Sequence, residues 1–163
     1  MNLSADQLSV VACAINQAQQ RASLPARIRA VYDEVQRAVD ARKPRCDVSG
    51  RCCQFEQYGH LLFVTTIELA AFALERRAAD DPHVIVGDGC PYQVNRLCTV
   101  HDTRPFGCRI YFCDPTAQEW QQSQYEQFHL RIRALHDELA IPYFYVEWRQ
   151  GLEAIAIAGR VQK

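Results

Sequence analysis

Seven cysteines lie within one stretch of this chain and constrain its fold more than any other feature. They are Cys46, Cys52, Cys53, Cys90, Cys98, Cys108 and Cys113. The segments around them are rich in glycine and proline, and loops of that composition bury little apolar surface. A metal bound by several thiolates would hold such loops together, because the free energy of metal binding then stabilises the folded loops.

Clustered cysteines have two ordinary explanations, a disulfide framework in an oxidising compartment or metal-binding thiolates in a reducing one. The first twenty residues carry Asp6 and several amides, and their longest apolar stretch, residues 10–15, is too short for a secretory signal. No stretch approaches the ~18 apolar residues of a membrane span. We therefore expect a cytoplasmic protein without a membrane partner, in which metal binding is favoured over disulfide bonding.

Length and charge narrow the classes of function. A chain of 163 residues can form one domain with an apolar core, so we expect a single domain over 1–163 and a cysteine-cluster metal-binding region over 45–115. The net charge of −1 gives no basic field for nucleic acid. A protein partner is compatible with the sequence, but nothing identifies one. No glycine-rich phosphate loop, Gly-x-Ser-x-Gly or Cys-x-x-Cys motif is present, so catalytic residues stay unknown.

Apolar periodicity predicts four helices, over 4–21, 25–41, 66–79 and from Asp114 to 139. Ser4 with Gln7, and Thr65 or Thr66 with Glu68, have the spacing of helix-starting caps. Cys13 lies in the first helix, and we expect it to be a small buried apolar residue apart from the cluster.

The remaining segments predict little regular structure. Residues 84–86 and 143–148 are expected to be short strands, residues 152–158 strand or helix, and residues 87–113 irregular. The predicted fold class is an α-dominant α+β protein, with a helical shell around an irregular cysteine-rich metal-binding core.

The spacing of the cysteines suits thiolate ligation. Short spacings within a loop let neighbouring sulfurs converge, while the gap between loops lets one site join distant segments. Pro91 and Pro105 stiffen the backbone near the ligands. Arg104 and Arg109 are suited to hydrogen-bond sulfur or to balance charge, because four thiolates around Zn²⁺ leave about −2 overall.

The combined pattern resembles the zinc- or iron-chelating domain family named for its CxxCxxCC motif, which also forms part of flagellin lysine methylases. The family pattern continues with Cys-Pro, a further cysteine and Arg-Pro-x-x-Cys-Arg-x-Tyr/Phe-x-Cys. Ser49 stands where the family has its second cysteine. The resemblance implies metal binding and covers residues 45–115, with matches at Cys46, Cys52, Cys53, Cys90-Pro91, Cys98, Arg104-Pro105, Cys108-Arg109, Tyr111 and Cys113.

Two cofactors are compatible with this set of thiolates, an iron–sulfur cluster (4Fe-4S) and zinc. A four-iron cluster needs four cysteines, whereas two tetrahedral zinc ions that share one thiolate would use seven. All-sulfur ligation argues against magnesium, calcium and manganese, and ligand chemistry with the resemblance favours iron–sulfur over zinc. Adjacent Cys52 and Cys53 are expected to point in different directions, so that one of them serves a second metal or packs.

Other candidate ligands carry weaker signals. His101 follows Cys98 by three residues and could complete a mixed site, although loop histidines are usually solvated. His60 is weaker still, and His129 and His136 are expected at the surface or in an interface. Tyr111 and Phe112 are expected to pack over the metal and limit access of water.

Three functional hypotheses follow from the cluster. The centre is structural, transfers electrons or handles metal; it is the working part of a metal-dependent modifying enzyme resembling the methylases; or it senses metal or redox state through its thiolates. A closed all-cysteine shell would favour the first, and a free coordination position the second.

Overall fold

The structure, a computed structural model, describes residues 2–76 and 89–161. This part of the chain is mostly helical with a few short strands, as the predicted α+β class requires. The helices are α1 (Ala5–Gln19), α2 (Leu24–Arg42), α3 (Phe55–Tyr58), α4 (Thr66–Glu75), α5 (Phe106–Ile110), α6 (Gln118–Leu139) and α7 (Trp148–Val161). Single 3₁₀ turns span Arg51–Cys53 and Pro115–Ala117. Among the described helices, none has the length and apolar character to cross a membrane.

Within residues 2–76 and 89–161, four short strands form two separate antiparallel pairs. β1 (Phe63–Thr65) pairs with β4 (Tyr145–Glu147), with Val64 opposite Val146. Both strands lead directly into helices, so their pairing sets α4 beside α7. β2 (Gln93–Val94) pairs with β3 (Leu97–Cys98) through a two-residue turn in which Asn95 and Arg96 have positive φ angles of 50° and 66°. Positive φ at both turn residues matches the right-handed twist of a tight hairpin.

Helix α4 lies at the centre of the molecule. Its residues from Thr66 to Phe72 are all buried, as expected for a helix that is apolar on nearly all sides. α1 packs on α4 and α7, while α2 packs on α4, α5 and α6. The helices thus enclose one apolar core, and the segments that carry the cysteines lie against one end of α4 through β1 and α5.

Several predicted elements are confirmed, including both capping boxes, at Ser4 with Gln7 and at Thr65 with Glu68. The prediction for Cys13 is wrong, because this residue is exposed. The buried residues of α1 include Val11, Ala14, Ile15 and Ala18. Cys13 follows Val11 by two positions, which is about 200° around a helix, and therefore faces solvent.

Other boundaries differ from the sequence prediction. α4 ends at Glu75 rather than near residue 79, and the predicted strand over 84–86 lies outside the described residues. β4 is limited to Tyr145–Glu147, and residues 152–158 are helical within α7. The region predicted to be irregular contains the β2–β3 hairpin and α5, whose elements of two to five residues are too short for periodicity to detect.

Candidate metal centre

All seven predicted cysteine ligands line a single cavity of about 390 Å³. They come from the loop after α2, the first 3₁₀ turn, the segment before β2, the β2–β3 hairpin, α5 and the loop after α5. The structure therefore brings together thiols that are up to 67 positions apart in sequence, from Cys46 to Cys113. The cavity also contacts Ser49, His101, Arg104, Tyr111, Phe112 and Trp148.

The first cysteine loop turns sharply at Gly50, whose φ is +73°. The 3₁₀ turn follows, with the Cys53 N–H donating to the Gly50 carbonyl at 3.1 Å. This turn places the Cys52 and Cys53 sulfurs 3.9 Å apart, with Cys53 buried and Cys52 exposed. The expectation that these two thiols point in different directions is therefore wrong, because the tight turn brings both to one cavity.

The second cysteine segment attaches directly to the first. The Cys90 N–H donates to the Cys53 carbonyl at 2.7 Å, and the Gln93 side-chain amide donates to the Gly50 carbonyl at 2.7 Å. Cys98 lies opposite Gln93 in the hairpin. The short loop and the two-stranded hairpin have little apolar core of their own. Hydrogen bonds to backbone carbonyls of the first loop join them around the cavity.

Glu68 anchors the start of α5, which carries Cys108. One carboxylate oxygen accepts hydrogen bonds from the Thr65 N–H at 2.9 Å and the Thr65 hydroxyl at 2.8 Å. The other accepts from the Phe106 N–H at 2.9 Å. Burial raises the pKa of Glu68, and hydrogen bonds from Thr65, Phe106 and Tyr32 oppose that rise. The buried carboxyl therefore joins the centre of the core to the cysteine-bearing helix.

Asp114 ties the two ends of the cysteine region together. Its carboxylate accepts from the Arg45 N–H at 3.0 Å and from the Thr116 N–H at 2.9 Å. These bonds hold the pKa of Asp114 down at about 2. Because Arg45 precedes Cys46 and Asp114 follows Cys113, the carboxylate fixes the separation of these two cysteines.

Ser49 also faces the cavity, where its hydroxyl lies 3.6 Å from the Cys113 sulfur. The position at which this chain departs from the family pattern is thus part of the same wall as the cysteines. A serine there leaves seven thiols on the cavity wall.

Two buried N–H groups lie at the cavity, Arg104 Nε and Trp148 Nε1. Trp148 is only 1% exposed, and its indole packs edge-on to Phe72 at 5.0 Å. The thiol of Cys53 and the N–H of Trp148 both lower the pKa of Cys90 by hydrogen bonding. Arg104 Nε has no hydrogen-bond partner among the described residues, and because a buried donor without an acceptor is costly, a sulfur-rich group in this cavity would satisfy it.

The thiols themselves differ in acidity. A hydrogen bond from Cys53 lowers the pKa of Cys52 to about 6, and the same bond raises the pKa of Cys53. Burial raises the pKa values of Cys98 and Cys108. Metal ligation requires thiolates, and hydrogen bonds with Cys53 favour the thiolate form of both Cys52 and Cys90.

In the described part of the chain, no three or more His, Cys, Asp and Glu side chains converge closely enough to hold one metal ion. The seven thiols instead lie spread over the wall of the cavity. A tetrahedral zinc site places each sulfur about 2.3 Å from the metal, so a single ion would require several thiols to rotate inward.

The histidines and arginines are distributed differently from prediction. His101 lies at the rim with a 63% exposed side chain, and His60 stacks on Tyr111 at 5.7 Å outside the cavity. His136 is 1% exposed, so its expected surface position is wrong. The chain turns back after the end of α6, so that the Ile141 carbonyl lies 3.3 Å from Nδ1 of the His136 ring.

Arg109 does not line the cavity. Its guanidinium donates to the carbonyls of Asp102 at 2.7 Å and Arg104 at 2.9 Å, and lies 4.2 Å from the centre of the Tyr32 ring. Arg109 therefore braces the loop before α5, and of the two predicted arginines only Arg104 reaches the thiols.

Comparison of the chain with protein-family models, with curated proteins and with solved structures finds no match. The resemblance to the CxxCxxCC family thus depends on the residue pattern between 45 and 115.

Proposed function

We propose that this chain binds an iron–sulfur cluster or zinc through thiolates drawn from the seven cysteines of the cavity. The observation that carries the proposal is the convergence of all seven on one cavity of about 390 Å³. The proposal includes membership in the CxxCxxCC family and the corresponding architecture, a helical shell around a cysteine-rich metal-binding core. It also places the protein in the cytoplasm, where thiolates stay reduced.

The donor set fits a negatively charged, sulfur-ligated group. Cysteine thiolates would hold the metal, while the unpartnered Nε of Arg104 and the Trp148 N–H beside Cys90 would donate to ligand sulfur. Arg104 also supplies a positive charge against the net negative charge of a thiolate-bound centre. A bound cluster would supply one-electron redox chemistry, and bound zinc would join the loops without redox change.

The preference for the cluster over zinc depends on ligand chemistry and on the resemblance of the cysteine pattern. A centre of this kind would have a structural, electron-transfer or metal-handling role. It could also sense metal or redox state through its thiolates.

A second candidate is a metal-dependent modifying enzyme resembling the methylases. The exposure of Cys46 and Cys52 favours it, because these thiols leave one side of the centre open to solvent. An open side permits a coordination position for substrate, whereas a closed shell does not.

Anaerobic purification followed by elemental analysis and visible absorption tests the proposal. A brown protein with about four irons and matching acid-labile sulfide per chain would establish the cluster. A colourless protein with one or two zinc ions would establish zinc and remove the redox role. Protein free of both iron and zinc, even after reconstitution with each metal, would overturn metal binding.

Matched serine variants test the site. We expect Cys108→Ser and Cys113→Ser each to lose most of the bound metal, because both thiols line the cavity. Cys13→Ser is the control, since Cys13 is exposed on α1 away from the cavity. Equal metal content in all three variants would contradict the assignment of the ligands.

A further inference from the structure

A second cleft, of about 310 Å³, opens beside the cysteine cavity. The two share Cys52, Cys108 and Tyr111, which lie at their common boundary. The cleft lies between the β1–β4 pair, α5 and the first half of α6. Its volume falls within the range of small-molecule binding sites, about 300–1,000 Å³.

Aromatic and apolar side chains form most of the cleft. Leu61 is 51% exposed, Tyr111 44%, Tyr145 40% and Phe63 38%, an unusual concentration of exposed apolar surface in one place. His60 stacks nearly parallel to Tyr111, and Phe63 packs on Tyr145 at 5.3 Å. A contiguous exposed apolar surface of this kind generally marks a binding site.

The polar side chains that α6 presents to the cleft are uncharged. Gln118, Gln121 and Gln122 face it from α6, at positions that share one side of a helix, and the phenol of Tyr125 contacts that of Tyr145. Of the described residues that line the cleft, none is lysine, arginine, aspartate or glutamate. The neighbouring cavity, by contrast, contains Arg96 and Arg104.

We propose that this cleft binds an uncharged small molecule that carries a flat aromatic ring and a carbonyl or hydroxyl group. Aromatic walls favour a ring by stacking, and amide and phenol groups offer both donors and acceptors to its substituents. A carboxylate ligand would lose hydration without meeting a lysine or arginine side chain, so it binds more weakly.

Saturation-transfer NMR on the full chain tests this, with benzamide and phenol as uncharged probes and benzoate as a charged analogue of similar size. We expect saturable binding of benzamide and phenol, with benzoate at least tenfold weaker. Equal binding of benzoate and benzamide, or no saturable binding of any probe, would overturn the proposal.

Matched variants locate the binding. Leu61→Asp places a charge in the cleft, whereas Leu130→Asp makes the same change on the exposed face of α6, at a leucine that is 66% exposed and outside the cleft. We expect benzamide binding to weaken at least tenfold in the first and to change less than twofold in the second. Gln118→Glu gives an independent test, because glutamate is well tolerated at the start of a helix. Unchanged benzamide binding in both Leu61→Asp and Gln118→Glu would refute the assignment.

Discussion

Glu68 and Phe106 are joined by a hydrogen bond of 2.9 Å from the backbone N–H of Phe106 to the buried Glu68 carboxylate. The two residues are 38 positions apart, on α4 and at the first residue of α5. Because the other oxygen of Glu68 caps α4 through Thr65, one side chain fixes two helix starts relative to each other. Cys108 lies two residues beyond Phe106, so its position is set from the core.

Glu68→Gln should therefore destabilise the protein. A glutamine amide would turn an N–H group toward one of the N–H donors that now share the carboxylate, leaving a buried donor unpaired at a cost of about 1–3 kcal/mol in the free energy of unfolding. Urea denaturation measures this. Glu75→Gln, on the same helix, weakens the partly exposed ion pair with Arg29 and should cost less than about 1 kcal/mol. Equal losses would contradict the anchoring role.

Tryptophan fluorescence should report occupancy of the cysteine cavity. The chain has two tryptophans, of which Trp148 lines the cavity and Trp120 does not. Adding metal should change the emission of the wild-type protein and of Trp120→Phe, because Trp148 remains in both. Trp148→Phe should lose most of this change. A full fluorescence response in Trp148→Phe would mean that the metal binds elsewhere.

Asp114→Ala should loosen the cysteine region. The change removes the acceptor for the Arg45 and Thr116 N–H groups, so Cys46 and Cys113 lose their common anchor. We expect a lower midpoint of thermal unfolding and reduced metal content. Asp102→Ala serves as the control, since its carboxylate is fully exposed. Comparable effects in both variants would show that the loss of a negative charge, rather than the loss of the hydrogen bonds to Arg45 and Thr116, lowers stability and metal content.

Gly89→Ala should disturb the contact between the two cysteine segments. A Cβ at residue 89 would lie 2.7 Å from the Cys53 carbonyl oxygen, which already accepts the Cys90 N–H. Relieving this clash moves backbone, with an expected cost of about 1–3 kcal/mol. At Gly159 in α7 no described atom lies within 4 Å of the methyl group that alanine would add, so Gly159→Ala should stabilise the helix by up to about 1 kcal/mol. In urea denaturation, the free energy of unfolding should fall in Gly89→Ala and rise in Gly159→Ala. An unchanged free energy of unfolding in Gly89→Ala would disprove the close approach of residue 89 to the Cys53 carbonyl.

The long helices and their caps could be predicted from sequence because their signals are local. Ser4 with Gln7 and Thr65 with Glu68 are within three residues of each other, and both capping boxes form. The second oxygen of Glu68 binds Phe106, a partner that no local pattern indicates. The same limit applies to the β2–β3 turn, where Arg96 adopts a positive φ that its residue type does not suggest.

The candidate site could be predicted in part. Cysteine spacing identified all seven thiols that line the cavity, but it did not identify Trp148, which lies 35 positions beyond Cys113. Trp148 reaches the cavity because β4 pairs with β1, a contact between distant segments. The acceptors of Arg109 were likewise unpredictable, since they are backbone carbonyls presented by a loop.

The position of Trp148 has a consequence for any attempt to divide the molecule. Its indole forms part of the cavity wall on one side and packs on Phe72 of the apolar core on the other. A peptide comprising only residues 45–115 would therefore carry every cluster thiol and still lack one wall of the cavity. A shorter peptide or a chimaera that contains the cysteine region would therefore need other residues in place of the surface that α7 provides.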